Sequence, residues 1–96
     1  MYHRSISVWE LNNYTNSLLK EDPVLSGISV VGEIAGYKKH SSGHIYFTLK
    51  DQKSAVSCSY FRQYNYALDF ELYDGMLVEV VADAGIYERD GKFQLY

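Results

Sequence analysis

The sequence has 96 residues, 47% of them hydrophobic, and a formal net charge of −3. A chain of this length holds one hydrophobic core and not two, so we expect a single function. It lacks the roughly 20 consecutive apolar residues of a membrane-spanning helix and the apolar run of a secretory signal, and its lone Cys58 rules out an internal disulfide, which together indicate a cytoplasmic protein.

The first predicted element is an amphipathic helix over residues 7–20. Ser7 and Glu10 have the spacing of a capping box, and Pro23 marks the end of the segment. The apolar residues at helical spacing are Val8, Leu11, Leu18 and Leu19. We expect this apolar stripe to pack on the following domain or, as the alternative, against a partner domain. Residues 1–25 are therefore assigned to an N-terminal helix packed on the domain that follows.

Three strands are predicted next, because the hydrophobic period changes to two from Ile28 onward. They cover residues 28–37, 44–50 and 56–61, and a tight turn at 51–54 joins the second to the third. The alternation places Cys58 toward the core, as an inert thiol. The side chains expected on the outward side of the hairpin are those of Tyr46, Thr48 and Phe61.

The second half of the chain is predicted to be a link followed by two strands. Residues 62–72 break the strand pattern and are expected to form a short helix or irregular link. The side chains that this link is predicted to carry toward the core are Tyr64, Ala67, Leu68 and Phe70. Residues 76–87 have the pattern of one long strand with a bend or bulge at Gly85, and a last strand begins at Lys92.

The order of these elements, β-β-β-α-β-β, predicts a mainly β fold. It is the order of the five-stranded oligonucleotide-binding barrel, or OB fold, which we assign to residues 26–96. An SH3-like barrel is the alternative, but that fold does not usually place a helix between its third and fourth strands. The strand pattern still holds at Tyr96, so we expect an unpaired edge there, with a homodimer or strand exchange as a consequence.

Several motifs resemble the large subunit of exodeoxyribonuclease VII, in its N-terminal OB domain. The most specific is the unbroken run KHSSGHIYFTLKD at residues 39–51, preceded by Gly-Glu-Ile at 32–34. Shorter matches recur in the order that the family has them, at residues 7–12, 61–62, 74–76, 87–88, 91 and 94–96. The resemblance covers almost the whole chain.

The resemblance implies a bacterial cytoplasmic nuclease that degrades single-stranded DNA from both ends to oligonucleotides. In that family the large subunit works with several small subunits, and the catalytic residues lie beyond the OB domain. We therefore expect this chain to hold single-stranded DNA without hydrolysing it, and the small subunit to bind a region that this sequence lacks. Ser57 and Ser59 depart from the larger or basic side chains expected of family members at these strand positions.

The predicted DNA site follows the way OB folds bind, which is across strands two and three and between the 1–2 and 4–5 loops. Ten tyrosines in a chain of 96 residues offer stacking surfaces, while the acidic total means that attraction for phosphate must be local. In this scheme aromatic rings stack on bases, cations contact phosphates and serines donate hydrogen bonds. The predicted nucleic-acid-binding residues are Tyr37, Lys38, Lys39, His40, Ser41, Ser42, His44, Tyr46, Thr48, Phe61, Arg62, Tyr87, Arg89 and Lys92.

No catalytic residue, metal or cofactor is predicted in this chain. His40 and His44 stand four residues apart, but in a loop and a strand and without further ligands nearby. The carboxylates at residues 51, 69, 71 and 74 lack the spacing of a two-metal nuclease centre, and no phosphate-binding loop motif is present.

A protein-interaction or oligomerisation module of the same enzyme is the alternative function. Exposed aromatic side chains serve protein interfaces as readily as bases, and the acidic total favours this alternative. A salt series separates the two, since binding to phosphate weakens as salt rises.

Overall fold

The computed structural model describes residues 4–96, in which helix α1 (Val8–Glu21) is the first element. Ser7 begins it as predicted, because the Ser7 Oγ accepts the Glu10 N–H at 3.0 Å and the Glu10 carboxylate accepts the Ser7 N–H at 3.4 Å. A short 3₁₀ turn, Pro23–Leu25, follows. Within residues 4–96, no helix combines the length and the apolar character needed to cross a bilayer.

Six strands form one sheet in the described part of the chain. Their bounds are β1 (Ile28–Lys39), β2 (Ile45–Lys50), β3 (Ala55–Tyr60), β4 (Leu77–Ala82), β5 (Ala84–Tyr87) and β6 (Lys92–Leu95). The order across the sheet is β4-β1-β2-β3-β6-β5, and every pair is antiparallel except β3 with β6. A four-residue helix, α2 (Arg62–Asn65), lies between β3 and β4.

The mainly β class with an N-terminal helix is confirmed, whereas the five-stranded closed barrel is not. The predicted long strand over 76–87 is interrupted at Asp83, two residues before the expected bend at Gly85. Asp83 and Tyr96 exchange backbone hydrogen bonds of 2.9 Å, and the Asp83 carboxylate accepts the Gly27 N–H at 2.7 Å. Because β4 and β5 are the two edges of the sheet and only Asp83 separates them, the sheet curls until its edges approach each other at this residue.

The buried core lies on the inner side of this curled sheet. Its members are Ile34, Ile45, Phe47, Leu49, Cys58, Ala82, Ala84 and Leu95. The predicted inward alternation of β2 is confirmed, since residues 45, 47 and 49 are all buried. Burying a large apolar side chain of this kind contributes about 1.5–3 kcal/mol, so this side of the sheet supplies the main stabilisation.

A β-bulge in β1 changes which side chains face outward. Ala35 lies opposite Thr48 and Lys38 lies opposite Tyr46, so β1 advances by three residues over a stretch where β2 advances by two. The extra residue is accommodated at Gly36, whose φ of 60° is unfavourable for residues with a side chain. The alternation of β1 is therefore shifted by one position beyond Gly36.

The link over residues 62–72 does not cover the core as predicted. The side chains of Tyr64, Ala67 and Phe70 are exposed, and that of Leu68 is half-buried. Instead α2 directs Asn65 inward, where its amide Nδ2 donates to the carbonyls of Gly43 and Tyr60 at 2.9 Å each. An apolar cavity of about 330 Å³, bordered by residues of this link and of β4, remains at this end of the core.

Helix α1 lies on β5, but not through its apolar stripe. Val8, Leu11 and Leu18 are exposed and only Leu19 is half-buried, so the stripe as a whole does not pack on the domain as predicted. The contact is polar, and its central residue is Asn16, whose side chain is buried and accepts the backbone N–H of Ile86 at 2.9 Å. Because β5 is an edge strand, the helix satisfies hydrogen-bonding groups that the sheet leaves unpaired.

The last strand is not an edge, which removes the basis for the predicted unpaired edge at Tyr96. β6 lies between β3 and β5 and pairs with both.

Candidate nucleic-acid interface

The outward face of β2 and β3 carries the centre of the candidate site. Tyr46 lies opposite Ser59, and Thr48 lies opposite Ser57. The Tyr46 side chain is 40% exposed, as predicted for an outward position. Because the two serines are small, the β3 side of this face leaves the Tyr46 ring open to a flat ligand. Ser57 in turn lies opposite Gln94 of β6, whose Oε1 accepts the Ser59 hydroxyl at 3.0 Å, so the face continues onto β6.

The loop between β1 and β2 is held in one shape by its own hydrogen bonds. The His40 N–H donates to the His44 carbonyl at 2.9 Å, and the Gly43 N–H donates to the His40 carbonyl at 2.8 Å. The His40 imidazole Nδ1 lies 2.9 Å from the Ser42 hydroxyl and accepts the Ser42 N–H at 3.1 Å. Ser41, also predicted for the site, is exposed at the tip. The loop therefore presents a preformed surface.

The start of α2 is fastened to this loop. The Arg62 N–H donates to the His44 imidazole Nδ1 at 3.0 Å, and the Asn65 amide holds the Gly43 carbonyl. A Cβ on Gly43 would meet the Arg62 Cδ at 2.9 Å, and Gly43 has a φ of 95°. The Arg62 side chain thus lies over the loop, and the two motifs at residues 39–51 and 61–62 form one structural unit.

Three rings form a row beside this unit. The His44 and Phe61 ring centroids are 5.3 Å apart in an edge-to-face arrangement, and those of Phe61 and Tyr96 are 5.9 Å apart with a tilt of 35°. Burial raises the pKa of Tyr96, with smaller contributions from Tyr87 and Glu88. The Tyr96 phenol is therefore neutral at neutral pH, as a stacking ring should be. Phe61 is half-buried and stands outside the core, as predicted.

The two lysines before the loop have opposite registers in β1. Lys38 lies opposite the outward-facing Tyr46, whereas Lys39 lies opposite the buried Ile45 and thus has the register of the inner face. Both side chains are exposed, but only Lys38 stands on the side of the candidate interface. Tyr37 also departs from its predicted position on the rim, because it packs against the core cluster.

The other predicted loop lies apart from the first. Tyr87 pairs with Lys92 at the end of the β5–β6 hairpin, and Arg89 is in the turn between them. Because β6 runs parallel to β3 with Gln94 beside Ser57, Lys92 lies toward the Ala55 end of β3. The loop over residues 40–44 is at the opposite end. The structure thus brings together Lys38, His44, Tyr46, Thr48, Phe61 and Arg62, while Tyr87, Arg89 and Lys92 lie apart from them at the β5–β6 turn.

Neither a metal site nor a cluster of carboxylates accompanies this surface. Among residues 4–96, no group of three or more His, Cys, Asp and Glu side chains is placed to hold a metal ion. The Nδ1 atoms of His40 and His44 are both engaged in hydrogen bonds within the loop and its junction with α2. What the arrangement offers is flat rings, hydroxyls and isolated cations, which suit stacking and phosphate contacts rather than bond cleavage.

Sequence reasoning missed three contributors to this surface. Tyr96 extends the ring row, Gln94 continues the polar face, and Asn65 positions the loop. Asn65 and Tyr96 come together with their partners only through tertiary structure. Gln94 was within reach of the sequence, since the alternation of the last strand places it on the side opposite the buried Leu95.

The fold and this surface define a class of nucleic-acid-binding domain, and comparison with known families agrees. The model of the OB-fold nucleic acid binding domain family matches residues 6–96, so the chain belongs to that family.

Its similarity to exodeoxyribonuclease large subunits is extensive, which confirms the resemblance seen in the sequence. The chain is 47% identical over 93 residues to the exodeoxyribonuclease 7 large subunit of Clostridium perfringens strain SM101, with 97% of this chain and 23% of the relative covered. It is 48% identical over 96 residues to that of Natranaerobius thermophilus, which covers all of this chain and 23% of the relative. The corresponding subunit of Clostridium botulinum strain Loch Maree is 44% identical over 96 residues, with 100% and 24% covered. The chain thus spans about a quarter of the length of these relatives.

Proposed function

We propose that this domain binds single-stranded DNA across the outward face of β2 and β3. The observation that carries the proposal is the exposed Tyr46 ring beside the row formed by His44, Phe61 and Tyr96. A base stacked on such a ring contributes about 1–3 kcal/mol without regard to its identity. The small Ser57 and Ser59 keep the surface flat, so bases reach Tyr46 without obstruction.

Lys38 and Arg62 supply the phosphate contacts in this proposal. Lys38 precedes the loop over residues 40–44, Arg62 lies over it, and both residues are exposed. A chain with a net charge of −3 has no general attraction for DNA, so these two local cations orient the strand. Two charges and a few stacked bases are consistent with affinity in the micromolar range.

The relatives support a proposal for the wider role. We propose that the domain holds the substrate of a bacterial cytoplasmic exodeoxyribonuclease, whose catalytic residues and small-subunit contacts lie in the remaining three quarters of such a subunit. In this proposal the domain alone does not hydrolyse DNA, and the surface formed by residues 4–96 carries groups suited to stacking and phosphate contacts.

Fluorescence anisotropy with labelled oligo(dT) tests the proposal. Tyr46→Ala removes a stacking ring and is expected to weaken binding about 5- to 100-fold, while Lys38→Ala weakens it about threefold to tenfold at low salt. Lys39→Ala is the matched control, because it removes the same charge from the neighbouring residue on the other side of the strand. Oligo(rU) and duplex DNA of the same length are compared in parallel.

The proposed site is wrong if Tyr46→Ala and Lys38→Ala bind oligo(dT) as tightly as the unaltered chain. If Lys38→Ala and Lys39→Ala lose equal affinity for oligo(dT), the effect of charge is not local, which contradicts the assignment of the site to the side of β1 that carries Lys38.

A protein-interaction module remains a second candidate, favoured by the exposed stripe on α1. Val8 is 76% exposed and Leu11 is 53% exposed, and large apolar surface of this kind is characteristic of interfaces. A homodimer through α1 would give sedimentation that depends on protein concentration and is abolished by Val8→Ser with Leu11→Ser. Concentration-independent monomeric sedimentation contradicts this second candidate.

A further inference from the structure

A second concave surface lies where α1 crosses β5, away from the centre of the interface proposed above. It is a groove of about 750 Å³, and the residues of interest in it are Trp9, Lys20, Tyr87, Arg89 and Tyr96. Trp9 is 57% exposed and Tyr87 is 43% exposed, although α1 and the β5–β6 hairpin are well separated in the sequence. The helix thus contributes a large ring to a surface that the sheet alone would leave shallow.

The floor of this groove is kept open by Gly85. A Cβ on this residue would meet the Asn16 Oδ1 at 3.0 Å and the Tyr96 ring at 3.2 Å. A side chain at position 85 would therefore press on Asn16 and Tyr96, although Gly85 does not have a positive φ. The hydrogen bond from the Ile86 N–H to Asn16 fixes the helix over this floor, which makes the groove a built feature.

The groove is continuous with the candidate interface through Tyr96. This ring lines the groove and also packs against Phe61, which packs against His44. Tyr96 therefore connects the row of rings beside β2 and β3 to the groove that Tyr87 and Trp9 also line. The groove lies on the side of β6 and β5, which follow β3 in the order across the sheet.

The charges of the groove favour bases over phosphates. Lys20 and Arg89 are matched in number by Asp83 and Glu88, which also line it. Both carboxylates already accept hydrogen bonds, Asp83 from the Gly27 N–H and Glu88 from the Asn16 amide. With little net positive charge and three partly exposed rings, the groove suits the flat faces of nucleobases, with Lys20 and Arg89 beside them.

We propose that the groove between α1 and β5 is a second subsite for single-stranded DNA, in which Trp9 and Tyr87 stack on nucleobases beyond those held by Tyr46. The proposal rests on the function proposed above. It assigns a DNA-binding role to α1. It also predicts that a long single strand occupies both the Tyr46 face and the groove, whereas a short strand occupies only the Tyr46 face.

The fluorescence of Trp9 tests this directly, since it is the single tryptophan of the sequence. Oligo(dT) of about 5 nucleotides is expected to occupy the Tyr46 face alone, and oligo(dT) of about 15 nucleotides to reach the groove as well. We expect the longer strand to quench Trp9 emission in step with the anisotropy of the labelled DNA, and the shorter strand to leave it nearly unchanged. Trp9→Ala is expected to weaken binding of the longer strand at least about fivefold and to leave the shorter one unaffected.

Two variants on the same helix serve as controls. Trp9→Phe keeps a stacking ring and is expected to retain most of the affinity for the longer strand. Tyr14→Ala removes an exposed ring that does not line the groove, and it is expected to change neither affinity. Thermal unfolding of each variant shows whether the fold is intact.

Each failure has a different meaning. If both lengths bind while Trp9 emission stays constant and Trp9→Ala matches the unaltered chain, the groove subsite is wrong and the Tyr46 face stands. If neither length binds, the proposed function fails and the subsite with it. Trp9 emission that changes with protein concentration in the absence of DNA indicates a second copy of the chain in the groove and also overturns the subsite.

Discussion

Asn65 shows how a single buried polar side chain fixes a loop that other residues use. Its amide donates to the carbonyls of Gly43 and Tyr60, which would otherwise lose their partners on folding. Asn65→Ala is expected to lower the free energy of unfolding by about 1–3 kcal/mol, because two carbonyls are left partly buried and unpaired. Urea titration followed by circular dichroism measures this change.

The neighbouring Gln63→Ala is the control for Asn65→Ala, because Gln63 is exposed on the same short helix. It is expected to shift stability by less than about 0.5 kcal/mol. If the two variants have equal stability, the hydrogen bonds of Asn65 do not stabilise the loop.

Cys58 gives a prediction for the dependence of reactivity and stability on pH. Burial raises the pKa of the Cys58 thiol to about 11, and the hydrogen bond with the Leu49 backbone lowers it only in part. The folded thiol holds its proton more tightly than the unfolded one. Its contribution to stability is therefore complete below about pH 9 and is lost as the pH rises toward 11.

Thiol labelling at pH 8 checks this prediction, since the thiolate is the reactive species. Native protein is expected to react with a disulfide reagent at least about a hundredfold more slowly than urea-unfolded protein. Similar rates in the two states would show that Cys58 is accessible in the native fold.

At individual positions, alternation in the sequence predicted correctly which β2 residues are buried and which side of the strand Tyr46 and Thr48 occupy. It failed for Tyr37, because the bulge at Gly36 shifts the phase of β1 and a glycine in a strand does not reveal whether it forms a bulge. Lys38 and Lys39 were assigned to the loop, whereas β1 extends through both. Tyr96 was missed because its partner Phe61 is distant in the sequence, and Asn65 because its contact with the loop at Gly43 spans 22 residues.

Helix α1 illustrates an element whose position is set by polar residues rather than apolar ones. Asn12 donates to the Glu88 carbonyl at 3.0 Å, and Asn16 bonds both Ile86 and the Glu88 carboxylate. Asn16→Ala leaves the N–H of Ile86 without this acceptor, so we expect stability to fall by about 1–3 kcal/mol. The variant is also expected to expose the amide of Ile86 to hydrogen exchange.

Ser17→Ala is the matched control on the next residue of α1, where the side chain is exposed and bonds only within the helix. Its thermal midpoint is expected to stay within a few degrees of that of the unaltered chain. Unchanged exchange of the Ile86 amide in Asn16→Ala would mean that the helix does not protect this edge.

The existence and start of α1 were predictable, because its capping box is a local pattern, whereas its orientation was not. An apolar stripe favours burial of that side of the helix. Here the unpaired backbone groups of the edge strand β5 and the adjoining Glu88 are bound by Asn16 and Asn12, and these hydrogen bonds set the orientation instead. The prediction for the link over residues 62–72 was wrong for a similar reason. Its apolar residues suggested that it covers the core, and the hydrogen bonds of Asn65 turn it toward the loop instead.

For the whole domain, the small number of cations at the proposed site predicts that DNA affinity falls only gradually as salt rises. Only Lys38 and Arg62 are assigned to phosphates, and each neutralised phosphate of a single strand contributes about −0.7 to the slope of log K against log salt. We therefore expect a slope between about −1 and −2 for a short oligo(dT), and a slope less negative by about 0.7 for Lys38→Ala. Anisotropy titrations from low to moderate salt measure both values.

A slope steeper than about −4 would contradict the assignment, because it requires more phosphate contacts than these two cations provide. A slope near zero would mean that phosphate takes no part in binding.

The overall class and order of elements were within reach of the sequence, since they depend on periodicity and turn residues. The division of the predicted fourth strand was not, because Asp83 is exposed and lies between two residues that both face the core. Buried and exposed residues still alternate from Ala82 to Ala84, as they would in an unbroken strand. Only the pairing of Asp83 with Tyr96 and its bond to Gly27 reveal the interruption.

The bulge at Gly36 also determines how variation along β1 should be interpreted. Before it, even-numbered positions such as Val30 and Ile34 belong to the interior, while beyond it Tyr37 is internal and the even-numbered Lys38 is at the surface. Along β1, the positions that tolerate polar substitutions should therefore change from odd-numbered to even-numbered after Gly36. The clearest case is Tyr37, where a polar replacement is expected to destabilise the domain although a regular strand would accept it; Lys39, at the end of the strand, is already exposed.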